Sequence, residues 1–234
     1  MKKGNKLYEG KAKILYGTED PDKIIQYFKD DATAFNAAKK GTVEQKGIMN
    51  NKISSKMFEF LQSEGIPTHY VAHLNDREML VKKVEIVMIE VIVRNKAAGS
   101  LCRLLGFQEG TLLKNPVVEF CYKRDDLGDP LINEDHVLAL GLASPEEIRI
   151  IQEHALKINR LMRQFFINLN LELIDFKLEF GRYKGGIILA DEISPDTCRL
   201  WEVGTGKKMD KDRFRHDLGN IEEAYQEVLS RVSR

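Results

Sequence analysis

One stretch of this chain leaves little freedom in how it can fold. Between Leu173 and Trp201, the polar residues Asp175, Lys177 and Glu179 alternate with Ile174, Phe176, Leu178 and Phe180. An extended strand sends alternate side chains to opposite faces, so one face is apolar and the other reads acid–base–acid. Gly181 and the Gly185-Gly186 pair supply a turn. A second strand, Ile187 to Ala190, then runs into Asp191 and Glu192. Carboxylates at the end of an apolar run need partners, because an unpaired buried charge is very costly. The loop Ser194-Pro195-Asp196-Thr197 leads on to Arg199 and the single Trp. A solvated surface hairpin would share the alternation, but not the acids set beside the core. The stretch therefore reads as a functional hairpin.

Length and charge narrow the class. A chain of 234 residues can bury one large core or two lobes that share a cleft. Hydrophobic residues make up 43 %, which argues against disorder. Lys plus Arg and Asp plus Glu both number 36, so the formal charge is zero and nothing global invites nucleic acid or an anionic membrane. Cys102, Cys121 and Cys198 are scattered without a CxxC spacing. That argues against a disulfide framework or zinc site and fits a reducing, cytoplasmic setting. The longest apolar stretch, Ile86 to Val93, is interrupted by Glu90. It falls well short of the roughly 20 residues a membrane helix needs.

Along the rest of the chain the pattern is mixed. Leu7 to Tyr16 reads as two short strands about a bend at Gly10, with Lys11 and Lys13 on the turn. Glycine lets backbone approach a ligand, and the two ammonium groups with main-chain amides suit polyphosphate. Taken alone, the basic turn reads more readily as solvated surface. A strand follows over Lys23 to Lys29, then a loop over Ala32 to Gly41. Thr42 to Glu64 has helical periodicity in Met49, Ile53, Met57, Phe60 and Leu61. Strands follow over His69 to Leu74 and Glu78 to Lys83; on extended backbone His69 and His73 read as structural. Val84 to Met88 is a natural hinge. Arg94, with Ser100 opening a short helix, forms an anion-site pattern that also fits a plain helix cap. Ser144-Pro145-Glu146-Glu147 is a capping-box start for a long helix. Ile221 to Val232 is an amphipathic terminal helix.

Four words of sequence occur in order across nearly the whole chain. They are Tyr8-Glu9-Gly10-Lys11-Ala12-Lys13, Val93-Arg94-Asn95-Lys96-Ala97-Ala98-Gly99-Ser100, Asp175-Phe176-Lys177-Leu178-Glu179-Phe180-Gly181, and Asp191 through Trp201. Together they resemble the signature of the phosphoribosylaminoimidazole-succinocarboxamide synthases, the SAICAR synthetases of purine biosynthesis. The resemblance implies an α+β fold in two lobes with antiparallel sheets and an ATP cleft between them. The smaller N-terminal lobe would span residues 1–87 and cover ATP. The larger, 88–234, would carry the metal and ribonucleotide sites. Implied cofactors are ATP and Mg2+. Implied substrates are the small molecules carboxyaminoimidazole ribonucleotide (CAIR) and L-aspartate, and the implied assembly is a homodimer or larger homo-oligomer.

The resemblance also assigns residues. Lys11, Ala12 and Lys13 would cover the ATP phosphates, and Val84 and Ile86 would border the adenine. Lys177 and Asp175 would be catalytic, with Lys177 neutralising the transferring phosphate. Glu179 and Asp191 would hold the metal. Arg94, Ser100 and Arg199 would hold the ribonucleotide phosphate, arginine being suited to bidentate pairing with phosphate oxygens. Lys123, Asp129 and Asp196 would approach the substrates. The implied reaction is ATP-dependent amide formation through an acyl phosphate, which needs positioning and charge neutralisation rather than a covalent enzyme nucleophile. A small-molecule kinase of the same fold could use the same hairpin. A non-catalytic nucleotide sensor could dispense with the metal carboxylates, and their joint presence with Lys11, Lys13 and Lys177 argues against it.

Overall fold

The computed structural model describes residues 2–34 and 38–234. It is α+β, with every strand pairing antiparallel. The first half of the chain builds a five-stranded sheet from β1 (Lys6–Glu9), β2 (Lys13–Gly17), β3 (Lys23–Phe28), β6 (Tyr70–Asn75) and β7 (Glu78–Lys82), in the order β1-β2-β3-β7-β6. Between β3 and β6 lie the hairpin strands β4 (Asp31–Ala34) and β5 (Lys39–Thr42), then helix α1 (Lys46–Ser63). The stretch Ala32 to Gly41, expected to be loop, is thus largely this hairpin, with 35–37 outside the described residues. The helix also starts later than Thr42. Gln45 stands in the left-handed region, and the Gly47 amide donates to Asp30 Oδ1 at 2.9 Å, so a carboxylate from outside the helix serves as its cap.

The second sheet carries the alternating stretch. It comprises β8 (Glu85–Lys96), β9 (Leu112–Tyr122), β10 (Leu131–Ile132), β11 (Leu171–Tyr183), β12 (Gly186–Ala190) and β13 (Cys198–Glu202). The order is β10-β9-β8-β11-β12, and β13 shares the β12 edge of β11. Short helices α2 (Ser100–Leu105) and α3 (Glu134–Ala139) flank the sheet strands. Helix α4 (Pro145–Asn168) leads into β11, and α5 (Asp212–Arg215) and α6 (Ile221–Val232) close the chain.

The predicted capping box of α4 is present: Ser144 Oγ accepts from the Glu147 amide, and Glu147 accepts from the Ser144 amide. Such a cap stabilises a helix by about 1 kcal/mol. The helix buries Ile151, Ala155, Ile158 and Met162 in the core that takes in Phe176, Leu178 and Phe180 from the apolar face of β11. Burying each such side chain contributes roughly 1.5–3 kcal/mol.

The hairpin turn differs from expectation. Tyr183 pairs with Gly186, so the loop is Lys184-Gly185, both with positive φ (49° and 82°). That is the two-residue geometry matching strand twist. Gly181 lies inside β11, opposite Ile188 and Ile86. A Cβ there would sit 2.4 Å from Val84 Cγ2, so glycine is required for close packing rather than for a turn.

Candidate active site

Register explains why the polar residues converge. Side chains directly opposite in an antiparallel pair share a face. Asp175, Lys177 and Glu179 lie opposite Arg94, Ile92 and Glu90 of β8. Glu90 and Ile92 lie opposite Cys121 and Glu119 of β9. Lys123, two residues beyond Cys121, continues that face. Three adjacent strands thus deliver Glu90, Arg94, Glu119, Lys123, Asp175, Lys177 and Glu179 to one side of the sheet, while Phe176, Leu178 and Phe180 fill the other.

The edge of β11 is divided. β13 pairs with Leu171 to Phe176, and β12 with Glu179 to Tyr183. The loop joining them crosses at the gap, where the Lys177 amide donates to Thr197 carbonyl at 2.8 Å. Asp191 enters that loop in the left-handed conformation (φ 62°), uncommon for a residue with a side chain and tolerated best by Asn and Asp. The crossing brings Asp191 within 3.8 Å of Lys177 and sets Asp196 on the same cavity.

A dense ion network results. Lys177 Nζ lies 2.8 Å from Glu90 Oε1, 2.7 Å from Glu179 Oε1 and 3.8 Å from Asp191 Oδ2. Lys123 reaches Glu179 at 3.0 Å. From the N-terminal sheet Lys13 pairs with Asp191 and lies 3.0 Å from Glu192. Burial alone would lower the pKa of Lys13 and of Lys177. The Asp191 and Glu192 carboxylates outweigh it at Lys13; Glu179, Asp191 and Glu90 do so at Lys177, so both lysines are raised. For Asp191, burial opposes ionisation, but Lys13 and then Lys177 hold it well below the usual carboxylate range. Lys13, Lys177 and Asp191 are therefore charged at neutral pH.

Beside this network is a cavity of about 350 Å3, bordered by Lys11, Glu90, Arg94, Ser100, Asp129, Asp175, Lys177, Asp196 and Arg199, with Lys211 and Arg215. Arg94 is only 2 % exposed. Its donors engage Glu119 (2.7 Å), Asp175 (2.8 Å) and Ser100 Oγ (2.7 Å). Asp175 also accepts from Arg199 Nη1 at 2.9 Å, so it is clasped between two guanidinium groups. Arg199 is held on its other side by Asp212 at 2.8 Å. Its Nη2 occupies the space where a Gly99 Cβ would sit, at 2.5 Å, and φ at Gly99 is +56°. Lys11 and Lys13 diverge: Lys11 reaches Asp125 at 2.7 Å, while Lys13 turns to Asp191.

Ala12 lies between those two lysines. Val84 packs on Gly181, and Ile86 pairs with it across β11. β8 pairs with β9 only from Ile89 onward, so the backbone near Ile86 has no β9 partner. Asp129 has φ 49° and accepts from the Arg124 amide at 2.9 Å, in the loop before β10.

Several neighbours were not singled out as site residues from sequence. Glu90 shows in the sequence only as an acid interrupting an apolar run, whereas Asp191 ends one. Glu192 follows Asp191 directly. Lys46 gave no periodic signal, yet it is 1 % exposed and pairs with Asp196 at 2.7 Å.

The donor set suits a hard cation. Glu179, Asp191, Glu90 and Glu192 offer carboxylate oxygens only, as Mg2+ prefers. Among the described residues no group of three or more His, Cys, Asp or Glu side chains is arranged to hold a metal ion.

Comparison with known proteins identifies the family. A family model described as SAICAR synthetase matches residues 6–232. The phosphoribosylaminoimidazole-succinocarboxamide synthase of Caldanaerobacter subterraneus subsp. tengcongensis is 59 % identical over 234 residues, covering all of both chains. The crystal structure of that synthase from Ehrlichia chaffeensis superposes with TM-score 0.96 at 46 % identity, covering 98 % of each chain. A SAICAR synthetase in complex with ADP gives TM-score 0.93 at 46 % identity over 96 % of each. This chain belongs to the SAICAR synthetase family.

Proposed function

We propose that this chain joins CAIR to L-aspartate at the expense of ATP, releasing ADP and phosphate. The observation that carries the reading is the gathering of Lys13, Lys123 and Lys177 with Glu90, Glu179 and Asp191 beside an arginine-lined cavity, in a chain of this family. The relative that binds ADP supports ATP as the nucleotide.

A carboxylate is a poor electrophile because its leaving group would be oxide. In the proposed sequence a CAIR carboxylate oxygen attacks the γ-phosphorus and ADP departs. The aspartate amine then attacks the acyl carbon, phosphate leaves and the amine gives up a proton. Lys177 neutralises the phosphoryl oxygens in transit, and Lys11 and Lys13 cover the phosphates from the N-terminal side. Val84 and Ile86 border the adenine, with free backbone near Ile86 to hydrogen-bond it. Arg199 and Ser100, with the charge of Arg94 behind them, take the ribonucleotide phosphate. Asp175 fixes both arginines, which favours a bracing role over proton transfer. Lys123, Asp129 and Asp196 shape the substrate side. Glu179 and Asp191 would hold Mg2+, which when bound would neutralise phosphate charge.

We divide the chain into an N-terminal lobe, 1–87, and a C-terminal lobe, 88–234; the sheets change over between Lys82 and Glu85. Self-association as a dimer or larger oligomer is proposed with the exposed Leu104, Leu105 and Leu112 as a candidate contact face. No described helix is long and apolar enough to cross a membrane, and we place the protein in the cytoplasm.

The test is product analysis by mass. ATP and CAIR with aspartate should give the amide, ADP and phosphate. Accumulation of a stable phosphorylated product that ignores aspartate would favour the kinase reading instead.

A further inference from the structure

The three central strands of the first sheet, β2, β3 and β7, turn one face to the core. Its side chains include Leu15, Ile24, Phe28, Met79 and Val81, together with Lys13 and Gln26. Gln26 stands between Ile24 and Phe28 on that face, opposite Leu15 on one side and Met79 on the other, and is 4 % exposed. A primary amide set among apolar neighbours is costly unless it is hydrogen-bonded. Among the described residues its Nε2 meets two acceptors. Met79 Sδ, at 3.9 Å, is a weak one. The other is the backbone carbonyl of Asp191, at 3.2 Å.

Lys13 and Gln26 thus reach one residue from one face. Lys13 pairs with the Asp191 carboxylate, and Gln26 holds its carbonyl. Asp191 needs such support. β12 ends one residue earlier, at Ala190, and Asp191 takes φ 62°, a conformation that a Cβ disfavours. The backbone on either side is tied to the same half of the chain at alternate residues. The Leu189 amide donates to the Pro67 carbonyl at 2.9 Å, and the Leu189 carbonyl accepts from the His69 amide at 2.8 Å. The Ile193 carbonyl accepts from Ser54 Oγ of α1 at 3.0 Å. Residues 189, 191 and 193 are therefore anchored on the first half of the molecule, although the carboxylate between them serves the second sheet.

We infer that Gln26 is a positioning residue for Asp191: by holding the carbonyl of a left-handed residue it fixes the direction in which the carboxylate points. The inference rests on the reading above that Asp191 holds Mg2+. Relaxation of Asp191 to an ordinary backbone conformation would swing its Cβ and carry both carboxylate oxygens with it. Those oxygens are placed differently. Lys13 meets Oδ1, and Oδ2 stands 3.8 Å from Lys177 Nζ. A small backbone rotation therefore changes what the second oxygen faces. Lys13 does not supply this restraint, because it grips the far end of a side chain that turns about its own torsions. A cation bound at the carboxylate also competes with Lys13 for the same oxygens. The Gln26 bond lies on the backbone, outside that competition, and acts whether the site is full or empty.

The experiment is ADP binding by titration calorimetry over a series of MgCl2 concentrations, with wild type, Gln26→Met, Ser54→Ala and Asp191→Asn. Gln26→Met keeps the side-chain length and removes the donor. The MgCl2 concentration that gives half of the full gain in ADP affinity should rise about three- to tenfold, the range one hydrogen bond spans. KM for CAIR at saturating MgCl2 should stay within about twofold. Ser54→Ala removes another buried bond two residues along the same loop. It should lower Tm but move the MgCl2 midpoint by less than about twofold. A Gln26→Met midpoint within about twofold of wild type overturns the assignment. So does an equal shift in Ser54→Ala, which would make Gln26 one tie of the loop among several. If Gln26→Met does not fold, Gln26→Leu, which packs on the same Met79, carries the test. A wild type whose ADP binding ignores MgCl2, or an Asp191→Asn variant with unaltered dependence, sinks the metal reading. A wild type that needs MgCl2 and an impaired Asp191→Asn, beside an unmoved Gln26→Met, sink only the positioning role.

Discussion

Lys46 offers a strong test of how the two halves of the molecule are held together. A lysine in the first turn of a helix opposes the helix dipole, yet Lys46 opens α1 and is 1 % exposed. Its reason is Asp196, 2.7 Å away in the crossing loop of the other sheet. Lys46→Met keeps the volume and removes the charge. Asp196 then keeps the Tyr225 hydroxyl at 2.7 Å, with Lys211 no nearer than 3.9 Å.

Breaking one side of a buried pair costs about 3–5 kcal/mol. With an unfolding entropy of about 2.1 cal/mol/K per residue, 234 residues give roughly 0.5 kcal/mol/K, so Tm should fall by about 6–10 °C. The double variant Lys46→Met/Asp196→Asn should lose less than the two single losses together, by about 1–3 kcal/mol. Calorimetry of all four proteins closes the cycle.

The pH dependence has a definite sign. Burial opposes ionisation of Asp196, but Lys211 and Lys46 hold its pKa below the usual value. Its stabilisation is complete above the unfolded carboxylate pKa, about 3.9, and is lost as pH falls through the folded value. Lys46→Met should weaken that acid dependence. A single-variant Tm within about 2 °C of wild type, or strictly additive losses, would refute the reasoning.

Other outcomes follow from the same geometry. Asp191→Asn should abolish most activity and weaken Mg2+-dependent ADP binding by calorimetry; intact binding and turnover would remove Asp191 from the metal site. Arg199→Ala should raise KM for CAIR far more than for ATP, whereas equal losses would mean collapse of the cavity. Gly181→Ala should destabilise by about 1–3 kcal/mol through the Val84 contact, and Val84→Ala should recover part of it in a denaturant titration. Burial first, with Lys13 adding to it, pushes the His69 pKa down to about 3. The native state then binds fewer protons than the unfolded chain between about pH 6.5 and 3, so stability falls on acidification. His69→Leu should flatten that slope by up to about 1.4 kcal/mol per pH unit.

Much of this molecule can be read before its coordinates, for physical reasons. The β11–β12 hairpin is legible because period-two patterning and the Asp-Lys-Glu series agree on one face. Helix α4 is legible because its cap is local, from Ser144 to Glu147. Gly181 is misleading, since a glycine serving close packing looks like one serving a turn until Val84 is seen against it. The β4–β5 hairpin is hidden because Lys39-Lys40-Gly41-Thr42 has little strand character of its own. The roles of Lys46, Gln26 and Glu192 depend on pairing across more than a hundred residues or on loop path, and no local pattern encodes either. Lys11 and Lys13 were legible as a basic turn, but not their divergence toward Asp125 and Asp191.

One consequence of the divided edge of β11 concerns time rather than place. β11 is hydrogen-bonded along both margins, by β8 on one and by β12 and β13 on the other. The ammonium and carboxylates it carries therefore ride on the least deformable part of the backbone. Lys11 and Lys13 ride instead on β1–β2, the outermost hairpin of the other sheet. Admission and release of ligands should fall to that rim, which can lift while the platform beneath stays still. In hydrogen-exchange measurements the amides of Phe176 to Phe180 should be among the last to take up deuterium. Those of Gly10 to Lys13 should be among the first, and should slow markedly when ADP is bound.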